Sequence, residues 1–315
     1  MTGFKVVDEE EAQGLVSRAE AVAIVETAYK AATDGLAAIS EPSAMMMRGE
    51  SGTDTHFKVK GAILDGLGIA GFRVVADGMR VSAQNSDHLY VVDCVTGEPR
   101  GLVSATWLHR VRTASTGLLT CKTLMPANAE WLALIGTGRI AEEFVRAVHD
   151  VLPHVKIVLA SRSPERAAIT AERWRALTPN HLEAATISDA LARANIVVTL
   201  SDAAEVMFAA SDLNPNTLIC AMGGRYEFDR DVLDSSTGFV VDELDFVCAV
   251  GSAAHWIKSG QLNRDHLTHR LDATIGEILS GHKKIDGGRI LAIIQGMAIC
   301  DLAIAKTVLD RAKGL

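Results

Sequence analysis

Apolar and polar positions follow two rhythms along this chain. From Trp131 onward, short apolar runs alternate with amphipathic stretches. Trp131–Ile135 leads through a glycine turn into a helical pattern over Ile140–Leu152, followed by a strand-like Val155–Leu159. Ser163-Pro164-Glu165 offers an N-cap and then proline at the first helical position, opening a helix toward Leu177. A short helix started by Ser188 precedes a strand over Ile196–Leu200, and further strands fit Thr217–Met222 and Gly238–Val241. This alternation predicts a parallel sheet wound with helices on both faces. Before Trp131 the rhythm differs. An amphipathic helix is predicted from Ser17 to Gly35. Short β-type runs bounded by Gly, Asp or Asn then occupy Ala44 to Val103, as antiparallel strands would. Thr113 to Leu124 reads as a helix stopping before Pro126, and Ile290 to Ala312 as a long helical pattern able to fold back on the first region.

Composition narrows the class. The 315 residues suffice for about two domains of roughly 150 residues each. With 48% apolar and 22% charged residues, the chain supports a large core and is not disordered. Its longest apolar runs fall far short of the ~20 residues that a membrane span needs. The first residues run straight into acidic, helix-forming sequence, so no secretory signal is expected. A net charge of −8 argues against nucleic-acid binding, which needs a basic face. The five cysteines are scattered without CxxC or Cys/His clusters, and no His-x-x-x-His pair occurs, which disfavours disulfides and metal. His88 and His109 read as structural or surface residues. A cytoplasmic α/β protein is expected.

Gly136-Thr137-Gly138-Arg139-Ile140-Ala141 matches GxGxxA between a strand and a helix. Gly136 permits the tight turn, Gly138 lets a pyrophosphate approach the backbone, and Ala141 allows close helix–strand packing. Exposed amides at the helix start then meet the phosphate charge. Where NAD-preferring folds place an acid about 20 residues on, this chain reads Ala160-Ser161-Arg162-Ser163. Arg162, helped by Ser161 and Ser163, suits a 2′-phosphate, so NADP is the expected cofactor, with NAD possible.

Arg112-Thr113-Ala114, the Gly136-Thr137-Gly138 turn, Asn195-Ile196-Val197-Val198-Thr199, and Gly296-Met297-Ala298 followed by Asp301 give the chain a resemblance to the ornithine cyclodeaminase/μ-crystallin family over nearly its whole length. The resemblance implies a homodimer and a Rossmann-type NAD(P)-binding domain over 123–289. It also implies an α+β substrate and dimerisation domain of 1–122 completed by 290–315. It adds Thr113, Thr199, Ser201, Met222 and Gly223 to the cofactor candidates. Two departures bear on activity. The cyclodeaminase branch carries Gly-Gly-Asp where this chain reads Gly223-Gly224-Arg225, and an arginine, always protonated, is no base. Gly71-Phe72-Arg73 stands where the family more often has Gly-x-Lys. The chain therefore looks closer to the ketimine-reductase branch than to true ornithine cyclodeaminase.

The substrate candidates are all cations: Arg112, Arg73, Lys60, Arg48 and Arg225, with Lys58 on the same strand face as Lys60. Converging on one pocket they suit an acidic substrate. The expected function is NAD(P)H-dependent reduction of an α-imino acid, cyclic or open-chain, with Arg112 and Arg73 fixing the carboxylate. Run backwards, or with ammonia and a keto acid, the same site is an amino-acid dehydrogenase or opine-type synthase. The rivals are a cyclodeaminase lyase recycling bound NAD and a non-catalytic NADPH and small-acid binding protein.

Overall fold

The computed structural model describes residues 3–48, 56–77 and 86–314. The chain divides into two compact units, residues 1–113 with 297–315, and residues 114–296. In the first unit β1 (Lys5–Val7), β2 (Ala37–Ile39), β3 (Met45–Arg48), β4 (His56–Leu64), β5 (Ile69–Asp77), β6 (Ser86–Asp93) and β7 (Pro99–Ser104) form one sheet. Its order is β1-β7-β6-β5-β4-β2, with β3 also on β4. Helices α1 (Glu9–Leu15), α2 (Arg18–Thr33) and, from the far end of the chain, α12 (Ala298–Ala312) complete it. The start of α2 is a capping box: Ser17 Oγ accepts from the Glu20 amide, and Glu20 accepts from the Ser17 amide.

Strand register decides what faces α12. Lys60 on β4 pairs with Arg73 on β5, and Arg73 with Leu89 on β6. Asp87, two residues before Leu89, therefore shares the face of Lys60 and Arg73. Gly71 lies on the same face, where a Cβ would stand 2.9 Å from Leu302 of α12 and closer still to the Tyr90 carbonyl. Only a bare backbone lets the helix lie this close. Phe57, Ile63 and Phe72 point to the opposite face and are exposed.

The second unit carries β8 (Trp131–Ile135), β9 (Lys156–Ala160), β10 (Leu182–Ala184), β11 (Ile196–Thr199), β12 (Leu218–Ala221), β13 (Gly238–Val241), β14 (Ala273–Thr274) and β15 (Ile290–Ile293). They form a parallel sheet ordered β10-β9-β8-β11-β12-β15-β13-β14. The unit boundary falls within α3 (Thr106–Leu124). The helices that follow are α4 (Arg139–Val151), α5 (Pro164–Trp174), α6 (Ile187–Arg193), α7 (Asp231–Asp234), α8 (Leu244–Ala249), α9 (Gly251–Lys258), α10 (Arg264–Arg270) and α11 (Ile275–Leu279). No helix among the described residues is long and apolar enough to cross a membrane.

Three local expectations are corrected. Residues 290–312 are not one helix: Ile290–Ile293 is a fully buried strand between β12 and β13, and the helix begins at Ala298. A strand buried on both faces has no polar alternation, so its apolar run imitates a helix segment. Gly288 and Gly296, both at positive φ, isolate it. Helix α3 starts at Thr106, seven residues before the expected Thr113. Helix α6 is capped by Thr186, whose side chain accepts from the Asp189 amide, and not by Ser188.

Candidate functional site

In the second unit the chain leaves β8 for β9 and β10, then returns to the other side of β8 as β11. A crevice opens at such a reversal of strand order, outside the carboxyl ends of the strands. It is a cavity of about 600 Å³ lined by Gly136, Thr137, Gly138 and Ile140 after β8 and by Leu200 and Ser201 after β11. Gly136 has φ +140°, and a Cβ there would collide with the Leu200 carbonyl. Gly138 is the N-cap residue of α4 and is exposed. The tight turn at Gly136 and the bare backbone of Gly138 at the start of α4 therefore follow the GxGxxA pattern.

Arg162, on the wall of this cavity, is joined by Arg166, which the sequence reading missed. The two are four residues apart, Arg162 just before the Ser163 N-cap and Arg166 in the first turn of α5. Ser161 and Ser163 line the cavity as well, yet their hydroxyls serve the local turn. Ser161 Oγ donates to the Ser163 carbonyl at 2.7 Å, and Ser163 Oγ accepts from the Arg166 amide at 3.2 Å. Met222 and Gly224 form part of the wall, whereas Arg139 and Gly223 do not.

Glu227 explains two of these placements. Its carboxylate is buried and accepts from Thr199 Oγ1 (2.7 Å), Ser201 Oγ (2.6 Å) and the amides of Ser201 and Gly223 (both 3.1 Å). It thereby ties the chain after β11 to the chain after β12. Thr199, expected at the cofactor, is fully buried, with its hydroxyl committed to this carboxylate. Burial pushes Glu227 above the ordinary carboxylate range, against the hydrogen bonds from Ser201, Thr199 and Gly223 that pull it down. Arg225, expected at the substrate, sits exposed in this unit, its Nε 2.5 Å from Asp202 Oδ1.

The other substrate candidates belong to the first unit, and three of them come together. Lys60, Arg73 and Arg112 are buried, at 5%, 4% and 1% exposure, around His109. Two carboxylates hold the arginines. Arg73 Nε donates to Asp87 Oδ1 at 2.7 Å and its Nη2 to Oδ2, a bidentate pair. Arg112 Nε donates to Asp301 Oδ1 at 3.0 Å, and Arg73 Nη1 lies 3.7 Å from the same oxygen. Asp301 is completely buried, and its Oδ2 has no hydrogen-bond partner among the described residues. Each terminal nitrogen of Arg73 is thus engaged, while Arg112 keeps Nη1 clear of bonds to other described residues. Thr113, expected at the cofactor, turns its hydroxyl toward His109 Nδ1 at 3.3 Å. The side chain of Arg48 lies outside the described residues.

Lys60 carries the clearest chemical signature. Burial, and then the positive charge of Arg112, lower its amine from the ordinary lysine value to about 7; Asp301 opposes the shift, and Lys58 and Arg73 add to it. A lysine poised at that value can give or take a proton near neutrality. Asp87 and His109 went unrecognised as site residues. Asp87 is legible only once β5 and β6 are in register, since the pairing sets its face.

Comparison with known proteins bears on this arrangement. A Delta(1)-pyrroline-2-carboxylate reductase of Bacillus cereus is 25% identical over 260 residues, 79% of this chain and 78% of that one. An iminosuccinate reductase of Paracoccus denitrificans is 25% identical over 231 residues, 71% and 70% of the two chains. The fold is shared with the solved Thermococcus litoralis Delta(1)-pyrroline-2-carboxylate reductase in complex with NADH and L-proline. Its TM-score is 0.87 at 20% identity, over 98% of this chain and 97% of that one. The profile of the ornithine cyclodeaminase/mu-crystallin family matches residues 4–315, and the chain belongs to that family.

Proposed function

We propose that this protein is an NAD(P)H-dependent reductase of an α-imino acid, producing an amino acid. The observation that carries the reading is the buried group of Lys60, Arg73 and Arg112 around His109, in which Asp87 and Asp301 hold the two arginines and Arg112 Nη1 is clear of bonds to other described residues. A buried guanidinium with a nitrogen left open suits an anionic ligand such as a carboxylate. The reductases of pyrroline-2-carboxylate and of iminosuccinate among the relatives support the same chemistry. When bound, the nicotinamide supplies the hydride that reduces the C=N bond.

The chain's own residues supply position and proton. Arg112, pinned through Nε by Asp301, offers Nη1 to the substrate carboxylate. Arg73 acts through its neighbours: held by Asp87, it fixes His109 and adds positive charge. Lys60, the cross-strand partner of Arg73, stands one strand away from the position where the family more often has its lysine. Its ammonium gives its proton to the nitrogen that becomes the amine. The test is a screen of NADPH and NADH consumption over cyclic imino acids and over keto acids with ammonia or amines. Turnover with at least one carboxylated imine is expected. No turnover with any, despite dinucleotide binding, would leave a binding protein instead.

The dinucleotide belongs in the cavity after β8 and β11, with pyrophosphate on Gly136–Gly138 and the start of α4. We read the preference as NADP, because Arg162 and Arg166 share the edge where other folds carry an acid. Arg162→Ala should raise the KM for NADPH about ten- to a hundredfold and leave that for NADH nearly unchanged, with Arg166→Ala acting in the same direction. Equal losses with both dinucleotides would contradict the assignment.

Cyclodeamination of ornithine is not expected. Glu227, which the chain offers near the missing carboxylate, accepts four hydrogen bonds and serves as a brace. Asp229 Oδ1 accepts from the Asp231 amide. Incubation with ornithine and NAD should yield no proline, measured by mass spectrometry; steady proline formation would restore the lyase reading. The exposed apolar face of Phe57, Ile63 and Phe72 favours a homodimer, because a second copy would remove it from water.

A further inference from the structure

His109 lies one helical turn before Arg112 on α3, and three polar groups surround its Nδ1. Arg73 Nη1 and Arg112 Nη2 each stand 3.0 Å away, and Thr113 Oγ1 stands 3.3 Å away. A guanidinium only donates, so Nδ1 is the acceptor and the ring proton resides on Nε2. An imidazolium, protonated on both nitrogens, would set a third donor against the two arginines. Burial, then the charges of Arg73, Arg112, Lys60 and Lys58, act the same way and push the ring well below the ordinary histidine value.

The placement of both guanidiniums depends on that acceptor. Asp87 holds Arg73 and Asp301 holds Arg112, yet Arg73 Nη1 also lies 3.7 Å from Asp301 Oδ1, the oxygen that accepts from Arg112 Nε. Two cations thus border one carboxylate oxygen. His109 Nδ1 engages both at shorter range than that 3.7 Å approach. With Nε on Asp301 and Nη2 on His109, Arg112 is held along one edge, and Nη1 is the nitrogen left open among the described residues. A carboxylate in place of the ring would also hold the arginines, but would cancel positive charge that an anionic ligand meets. A neutral imidazole accepts without adding charge. We propose that His109 is a positioning residue: as a neutral acceptor it keeps Arg73 from closing on Asp301 and aims Arg112 Nη1 at the substrate carboxylate. This inference rests on the imino-acid reading of the site and names what orients its carboxylate-binding arginine.

Three variants of the full chain test it. His109→Leu removes the acceptor, His109→Asn keeps a neutral acceptor oxygen toward the arginines, and His109→Asp keeps an acceptor but charges it. KM for the imino acid should rise about ten- to a hundredfold in His109→Leu, and His109→Asn should recover most of the loss. Binding of acetate, measured by calorimetry, should follow the same order without any need for turnover. The charged groups around the ring are Lys58 and Lys60 on β4, Arg73 on β5, Asp87 on β6, Arg112 on α3 and Asp301 on α12. The Lys60 titration, followed by carbon-13 NMR of its ε-methylene, should stay near its value of about 7 in His109→Asn. In His109→Asp it should move up by about one to three pH units. Nitrogen-15 NMR of the wild-type protein should show His109 protonated on Nε2 alone between about pH 6 and 8. Equal losses in His109→Leu and His109→Asn, no loss in His109→Leu, an unmoved Lys60 in His109→Asp, or an Nδ1–H form at neutral pH would overturn the proposal. Should the wild-type protein reduce no imino acid at all, the functional reading falls, while acetate binding and the NMR measurements still decide the role of His109.

Discussion

Arg112→Ala is expected to lower kcat/KM for the imino acid about a hundredfold or more while dinucleotide affinity holds. The guanidinium does two things at once. It presents Nη1 to the substrate carboxylate, and through Nε it neutralises Asp301, which is completely buried. Removing it leaves the Asp301 carboxylate, whose Oδ2 already lacks a partner among the described residues, without its 3.0 Å donor. Breaking a buried pair by deleting one side costs about 3–5 kcal/mol, so the variant should also unfold at lower denaturant. Arg112→Lys separates these effects. An ammonium can still balance Asp301 but cannot make two directed bonds in one plane, so stability should return further than turnover. An Arg112→Ala protein with near wild-type kcat/KM would show that other groups orient the substrate.

Lys60→Met should abolish most of the turnover and make the protein more stable. The two outcomes share one cause. The folded protein holds the amine near 7, whereas an unfolded lysine titrates at 10.5. Below about pH 7 folding therefore buries a charge that water would solvate better. As pH rises from about 7 toward 10.5 the unfolded state binds the extra proton, so this penalty is progressively relieved and stability rises. At neutral pH or below, replacing the amine with a thioether of similar length should stabilise the fold by about 2–4 kcal/mol, measured by urea unfolding. Activity follows the other side of the titration. Imine reduction needs the ammonium, so kcat in that direction should fall about tenfold per pH unit above about 7, while amino-acid oxidation should rise toward 7 and then level off. A reduction rate flat from about pH 6 to 9 would remove Lys60 from the proton path.

The sequence showed the parts of the fold that obey local rules. Ser17 and Ser163 cap α2 and α5, and Gly136 bends as the glycine pattern requires, because each depends on neighbours a few residues away. Ile290–Ile293 was misread because a strand buried on both faces has no period. The site divides in the same way. Lys60, Arg73 and Arg112 are recognisable by type, yet nothing near Arg73 announces that Asp87, on the next strand, would take the Nε–Nη2 edge of its guanidinium. Asp301 is 189 residues from Arg112 and meets it only when α12 returns to the first sheet. Such long-range pairs decide which cation is left for a ligand, and they follow from topology alone.

The most direct test of the central claim follows the transferred atom. The purified protein is incubated with a carboxylated imine and with NADPH or NADH deuterated at the nicotinamide C4 position that is transferred, and the amino acid is examined by mass spectrometry. The account predicts an amino acid carrying a single deuterium on its α-carbon, formed in step with dinucleotide oxidation and lost in Arg112→Ala. An amino acid without deuterium, or dinucleotide bound but never oxidised with any such imine, would contradict it.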